Sequence, residues 1–95
     1  MRDYTVDENN PIKNLQAIID DRKGTHGDFT DVAAMAQALK KLCRHGQSFD
    51  KLTPVQVEGL DMILHKVARI LSGNPNEPDH WLDVEGYARI VRERL

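Results

Sequence analysis

The most constraining feature of the chain is a strong helix-start signal followed by a long apolar stripe with helical spacing. Thr53 to Gln56 form a capping box, with proline at the first helical position. From Leu60 to Leu71 the apolar residues recur every three or four positions, which places them on one wide face of a helix. Gly73 then predicts the C-terminal end. This segment is therefore predicted to be a helix that packs through one side.

A first helix is predicted near the N-terminus. Residues 1–9 are polar and lack apolar periodicity, which indicates a flexible arm. The helix is expected to begin at Pro11, with Asn10 as its cap. Gly24 and Gly27 are expected to belong to a connection of about six residues that follows the helix.

Two more helices complete the predicted fold. One is expected from about Phe29 to Arg44, and the other from Asp79 almost to Leu95. No segment alternates with the period of two that a strand requires. Ninety-five residues are also too few to bury a second core. Residues 1–95 are therefore predicted to form one all-α domain of three to four helices, ending in an antiparallel helical hairpin.

The composition excludes several classes of function. Thirteen basic and fifteen acidic residues give a net charge of −2, so bulk binding to nucleic acid or to an anionic membrane is not expected. No apolar run approaches the roughly 18 residues that span a bilayer, and the N-terminus has no apolar signal region. The single cysteine, Cys43, excludes an intramolecular disulfide and a cysteine-based zinc site. A soluble, cytoplasmic protein is the expectation.

The last two predicted helices carry the best candidate site. Lys66 and Arg69 are spaced i, i+3, so they can converge on one anion such as a phosphate group. Asp83 falls on the inward stripe of the last helix, where a carboxylate needs a cationic partner. Two alternatives stay open: Lys66 can cover the edge of the core with its stem, or the charges can form a structural ion pair that fixes the register of the hairpin.

Four other residues are singled out around this site. Gly86, in the middle of a helix, suggests that a neighbouring group approaches closely, because glycine there costs about 1 kcal/mol against alanine. Tyr87 and Trp81 are candidates to stack on a base or to line a pocket. His26 precedes a helix N-terminus, where backbone N–H groups favour anions. An exposed loop histidine is the alternative interpretation of His26.

Mg²⁺ is the only metal that the sequence suggests. Glu58 and Asp61 are one helical turn apart, and with Asp79 and Asp83 they offer the carboxylate oxygens that Mg²⁺ prefers. The row that begins at Glu58 continues through His65, however, and is equally typical of a solvated ladder of charge pairs.

Three motifs in order resemble a family of small tailed-phage and prophage proteins of unknown function. They are His-Gly-Asp at 26–28, Lys-x-x-Arg-Ile at 66–70, and Asp-His-Trp-x-Asp-x-x-Gly-Tyr-Ala at 79–88. The resemblance extends over residues 18–95. It implies a phage or prophage origin and a helical domain that acts in the bacterial cytoplasm, with no assigned activity.

A more distant resemblance is to the MazG-like all-α nucleoside triphosphate pyrophosphatases, which bind Mg²⁺ through Glu-x-x-Glu and Glu-x-x-Asp motifs. Here Asp79 and Asp83 are spaced i, i+4 rather than i, i+3. Lys66 and Arg69 occupy the positions where this family has its Glu-x-x-Glu motif. The acidic pair Glu58 and Asp61 could substitute for it but lies about two helical turns upstream. These departures from the motifs argue against hydrolysis and are compatible with a relative that holds a phosphate-bearing ligand without cleaving it.

Three functions follow from these observations. The favoured one is a non-catalytic, homo-oligomeric module that binds a nucleotide or another phosphate ligand through Lys66, Arg69 and Asp83, and needs no cofactor. The second is a Mg²⁺-dependent pyrophosphohydrolase that uses the acidic residues. The third is a protein-binding module, such as an inhibitor of a host factor, which would act through an apolar patch around Met62.

Overall fold

The computed structural model describes residues 11–95, with side chains from Asn14 onward; the predicted arm and its cap Asn10 lie outside the described residues. Within this range the chain forms helices and no strand, which confirms the predicted all-α class. The elements are α1 (Pro11–His26), α2 (Phe29–Cys43), a single 3₁₀ turn (Phe49–Lys51), α3 (Pro54–Ser72) and α4 (Pro78–Arg92).

The start of α3 follows the predicted capping box. The Thr53 hydroxyl accepts a hydrogen bond from the Gln56 backbone N–H at 3.2 Å, and the Thr53 N–H donates to the Gln56 side chain at 2.8 Å. Asp28 caps α2 in a related way, since its carboxylate accepts from the Thr30 N–H at 2.9 Å. Both caps satisfy backbone donors that the helix itself leaves unpaired.

The predicted end of α1 is wrong. Gly24 and His26 are helical, and the helix stops at Gly27, whose φ of 84° lies in the left-handed region that favours glycine. The Gly27 N–H still bonds to the Lys23 carbonyl at 2.9 Å, as is common at helix C-termini. The predicted six-residue connection is therefore only residues 27–28.

Helix α3 is the central element, because it packs against both α2 and α4. The residues that join α3 and α4 show that they run antiparallel. Gly59, early in α3, lies against Val91, late in α4, whereas Lys66 contacts Asp83 nearer the connection. An added Cβ at Gly59 would collide with the Val91 side chain. The predicted C-terminal hairpin is therefore present, and Gly59 allows its close packing.

The core of the described residues is small. Its buried apolar side chains are Val32, Ala36 and Ala68. Large apolar residues stay exposed on every helix. The structure measures 53 × 27 × 24 Å, and its radius of gyration of 16.2 Å exceeds the roughly 12 Å of a compact chain of this length. The described residues therefore leave much apolar surface uncovered. No helix of the described residues is long and apolar enough to cross a membrane.

Candidate functional site

The candidate site is built around an ion pair between α3 and α4. Lys66 Nζ lies 3.1 Å from Asp83 Oδ2. The Lys66 side chain is only 12% exposed, whereas that of Asp83 is 45% exposed. Because the lysine stem is buried between the helices, its ammonium is held in place and has little freedom to move into solvent. The sequence pattern offered both Lys66 and Arg69 as partners of Asp83, and the structure places Lys66 in contact with it.

Arg69 lies one turn beyond Lys66 and adds a second cation. Burial is the main cause that lowers the pKa of Arg69, and the nearby Arg22 of α1 lowers it further. The carboxylate of Asp83 raises it and so partly opposes these effects. Lys66 thus pairs with Asp83, and Arg69 lies within electrostatic reach of both Asp83 and Arg22. The sequence pattern does not predict Arg22 as part of this site, because only the packing of α1 brings it near Arg69.

His65 lies near Lys66 and Arg69 of α3 and near Lys40 of α2. It is partly buried, and this burial lowers its pKa below the ordinary 6.5. Arg69, Lys40 and Lys66 act in the same direction, because each cation opposes a second positive charge nearby. His65 therefore favours its neutral form. The alternative was a ladder of charge pairs along α3. Among the described residues, no ion pair joins the acidic Glu58 or Asp61 to the basic His65 or Arg69, so this ladder does not form.

His26 is held against α4 rather than presented on a loop. It ends α1, and its Nδ1 lies 3.3 Å from Nε2 of His80. His80 is 1% exposed, and the same Nε2 lies 3.1 Å from the Thr25 carbonyl oxygen. With a proton on Nε2, His80 donates to this carbonyl. The structure thus gives His26 a packing role, and the buried partner His80 was noticed in the sequence only as part of a motif.

The two aromatic candidates have different surroundings. The Trp81 indole N–H donates to the Pro75 carbonyl at 2.8 Å and so fastens the α3–α4 connection to α4. Tyr87 lines a shallow groove on the same side of α4 as Asp83, and a second, more apolar groove formed with Val55 and Met62 of α3. Tyr87 is therefore the aromatic residue placed beside the candidate site.

The acidic residues proposed for Mg²⁺ are not gathered into a metal site. In the part of the chain that the structure describes, no three His, Cys, Asp or Glu side chains lie close enough to hold a metal ion. Asp83 contacts Lys66 instead of Asp79, Glu58 or Asp61.

These features define a small all-α module with a half-buried cationic cluster on a helical hairpin. Residues 12–95 match the family described as "Domain of unknown function (DUF6378)", and the chain belongs to that family. No curated protein and no solved structure matches the chain.

Proposed function

We propose that this protein is a non-catalytic helical module that assembles with further copies of itself and binds a phosphate-bearing ligand, such as a nucleotide. The observation that carries the proposal is the cationic cluster of Lys66, Arg69 and Arg22, in which Lys66 pairs with Asp83 and the charge of Arg69 is influenced by both Asp83 and Arg22. Partial burial makes this excess positive charge costly unless an anion offsets it. A phosphate group supplies both the charge and the acceptor oxygens.

Each residue of the cluster has a distinct role in this proposal. Lys66 acts as a point charge, and Asp83 keeps its ammonium oriented toward the site. Arg69 offers a planar pair of donors that matches two phosphate oxygens. Arg22 of α1, whose charge acts on Arg69, adds a further positive charge. Tyr87, on the same side of α4 as Asp83, is the candidate to stack on a base.

Self-assembly is supported by how little the described residues bury. A core of Val32, Ala36 and Ala68 removes little apolar area from water. Exposed side chains such as Leu82 (61%) and Ile90 (46%) form surface that a second copy can cover. A homo-oligomer therefore supplies the burial that the isolated chain lacks.

The biological setting of the proposal comes from the sequence resemblances. The three motifs similar to phage and prophage proteins favour a phage-derived protein acting in the bacterial cytoplasm. The distant likeness to MazG-like pyrophosphatases favours a nucleotide as the ligand, without Mg²⁺-dependent cleavage. A protein partner is the second candidate, because the groove lined by Val55, Met62 and Tyr87 is strongly apolar.

The test is a thermal-shift and turnover measurement on the full chain with inorganic phosphate, pyrophosphate, ATP and cyclic nucleotides, each with and without Mg²⁺. Binding to the folded state at a hundredfold excess over Kd adds about 2.7 kcal/mol, so we expect Tm to rise by several degrees. Lys66→Ala and Arg69→Ala should each abolish the rise, and Arg69→Lys should weaken it. No product should form.

Arg92→Ala is the matched control, because Arg92 is an exposed cation near the end of α4. This variant should keep the full thermal shift. If Arg92→Ala and Lys66→Ala lost the thermal shift equally, the ligand would be held by nonspecific charge attraction, which would contradict a specific site at Lys66. Mg²⁺-dependent release of pyrophosphate would contradict the non-catalytic proposal in favour of the hydrolase. The absence of a thermal shift with every phosphate compound would contradict phosphate binding and favour a protein partner.

A further inference from the structure

One face of α4, centred on Gly86, is not covered by any of the described residues. Gly86 is in the middle of α4, where glycine lowers helix stability by about 1 kcal/mol relative to alanine. An added Cβ at Gly86 would meet no atom of the described residues within 4 Å, whereas at Gly59 it would collide with Val91. The close approach that the sequence predicted at Gly86 therefore occurs at Gly59 instead. The space at Gly86 is still open.

Gly86 is the centre of a self-complementary surface. Leu82 and Ile90 lie one turn before and one turn after it on the same face, and both are exposed. Glu85 and Arg89 lie together on one flank of this face, because they are spaced i, i+4. The other flank faces α3, where Asp83 pairs with Lys66.

We infer that two copies of the chain associate through this face, with their α4 helices crossing antiparallel at Gly86 about a two-fold axis. The inference deepens the self-assembly part of the proposed function and rests on it. A two-fold contact presents the same patch from both copies. Small residues at the crossing allow two helix backbones to approach closely, which accounts for a glycine at this position.

The antiparallel direction is favoured by the charges, although Arg89 also pairs with Glu93 of its own chain at 2.7 Å. A two-fold axis at Gly86 places position 86 + n of one chain opposite position 86 − n of the other. Leu82 then meets the partner's Ile90, and Glu85 lies on the same flank as the partner's Arg89, about 3 Å apart along the axis at 1.5 Å per residue. A parallel crossing would instead place Glu85 beside the partner's Asp83, which is a like charge.

The neighbouring apolar groove enlarges this contact. Ile90 also lines the groove that Val55, Met62 and Tyr87 form between α3 and α4. Because Ile90 belongs to both, the Gly86 face and this groove form one continuous apolar surface. A stable interface needs roughly 1,000 Å² or more of buried surface, and one helix crossing combined with this groove provides a continuous apolar area for it.

The first test is the mass of the full-length protein in solution, by light scattering or sedimentation. We expect a dimer, and Gly86→Leu should weaken association at least tenfold while circular dichroism shows unchanged helix content. Gly24→Leu is the matched control, since a Cβ at this helical glycine also meets nothing among the described residues. It should remain dimeric. A dimer unaffected by Gly86→Leu would overturn this interface and leave self-assembly intact.

Cysteine cross-linking tests the direction in a Cys43→Ser background. A mixture of Leu82→Cys and Ile90→Cys chains should form a disulfide-linked heterodimer, because antiparallel crossing puts these positions opposite each other. Leu82→Cys alone should not cross-link, because its two copies lie roughly 12 Å apart along the axis. Cross-linking of Leu82→Cys to itself would overturn the antiparallel arrangement. A monomer at all concentrations would overturn both the interface and self-assembly, whereas phosphate binding is tested separately.

Discussion

His65 connects the electrostatics of single residues to the stability of the fold. Its pKa in the folded state is lowered, mainly by burial and then by Arg69, Lys40 and Lys66. In the unfolded chain the pKa is near 6.5, so between the two values the unfolded state binds more protons. The folded state therefore loses stability as pH falls from about 6.5 toward the folded pKa.

We predict that Tm of the wild type falls more between pH 7.5 and pH 5.5 than Tm of His65→Gln. Glutamine keeps a polar side chain of similar length but does not titrate. His45→Gln is the control, because His45 is exposed beyond the end of α2. It should keep the steeper pH dependence of the wild type. Equal slopes for the wild type and His65→Gln, measured by circular dichroism, would contradict the role of His65.

Lys66 and Asp83 show how far residue types alone can predict a site. The sequence offered Lys66 and Arg69 as partners of Asp83, because an inward carboxylate needs a cation, and in the structure Lys66 lies 3.1 Å from it. The same pattern could not predict Arg22, which comes from α1, nor the contact of His26 with His80. Both depend on how α1 lies across the hairpin, and apolar periodicity does not specify that arrangement.

At the scale of elements, the α3–α4 hairpin depends on close contact at Gly59. An alanine methyl group there would collide with Val91. Overpacking of this kind costs about 1–3 kcal/mol, and the better helix propensity of alanine offsets at most about 1 kcal/mol. We therefore expect Gly59→Ala to lower the free energy of unfolding by about 1–2 kcal/mol, measured by urea denaturation.

A second variant tests whether the steric contact is the cause. Val91→Ala removes the colliding methyl groups, so the double variant should be less destabilised than the sum of the two single variants. Gly24→Ala, at an open helical position, should be neutral or stabilising. Additive effects of Gly59→Ala and Val91→Ala would show that the collision does not explain the glycine.

At the scale of the whole molecule, uncovered apolar surface is the dominant property. The elongated shape and the small buried core leave Phe29, Leu42 and Leu71 at 60–70% exposure. A single chain of this length is marginally stable even when it is compact. Association therefore contributes a large part of the stability of the folded state in the proposed dimer.

We accordingly predict that Tm rises with protein concentration, because association removes folded monomer from the unfolding equilibrium. Between about 1 μM and about 100 μM, scanning calorimetry or fluorimetry should show an increase of several degrees. Gly86→Leu should reduce this dependence, and Gly24→Leu should not. A Tm that is the same at every concentration would contradict self-assembly.

The sequence by itself determined the all-α class, the capping box of α3, the hairpin and the need of Asp83 for a cation from α3. Each of these depends on spacing along one helix or on one charge that requires another. Only the tertiary structure decided where α1 ends, which glycine allows close packing, and that Arg22 of α1 lies near Arg69. The reason is that these features depend on the distance between helices, and periodicity indicates which face of a helix packs but not the residue it meets.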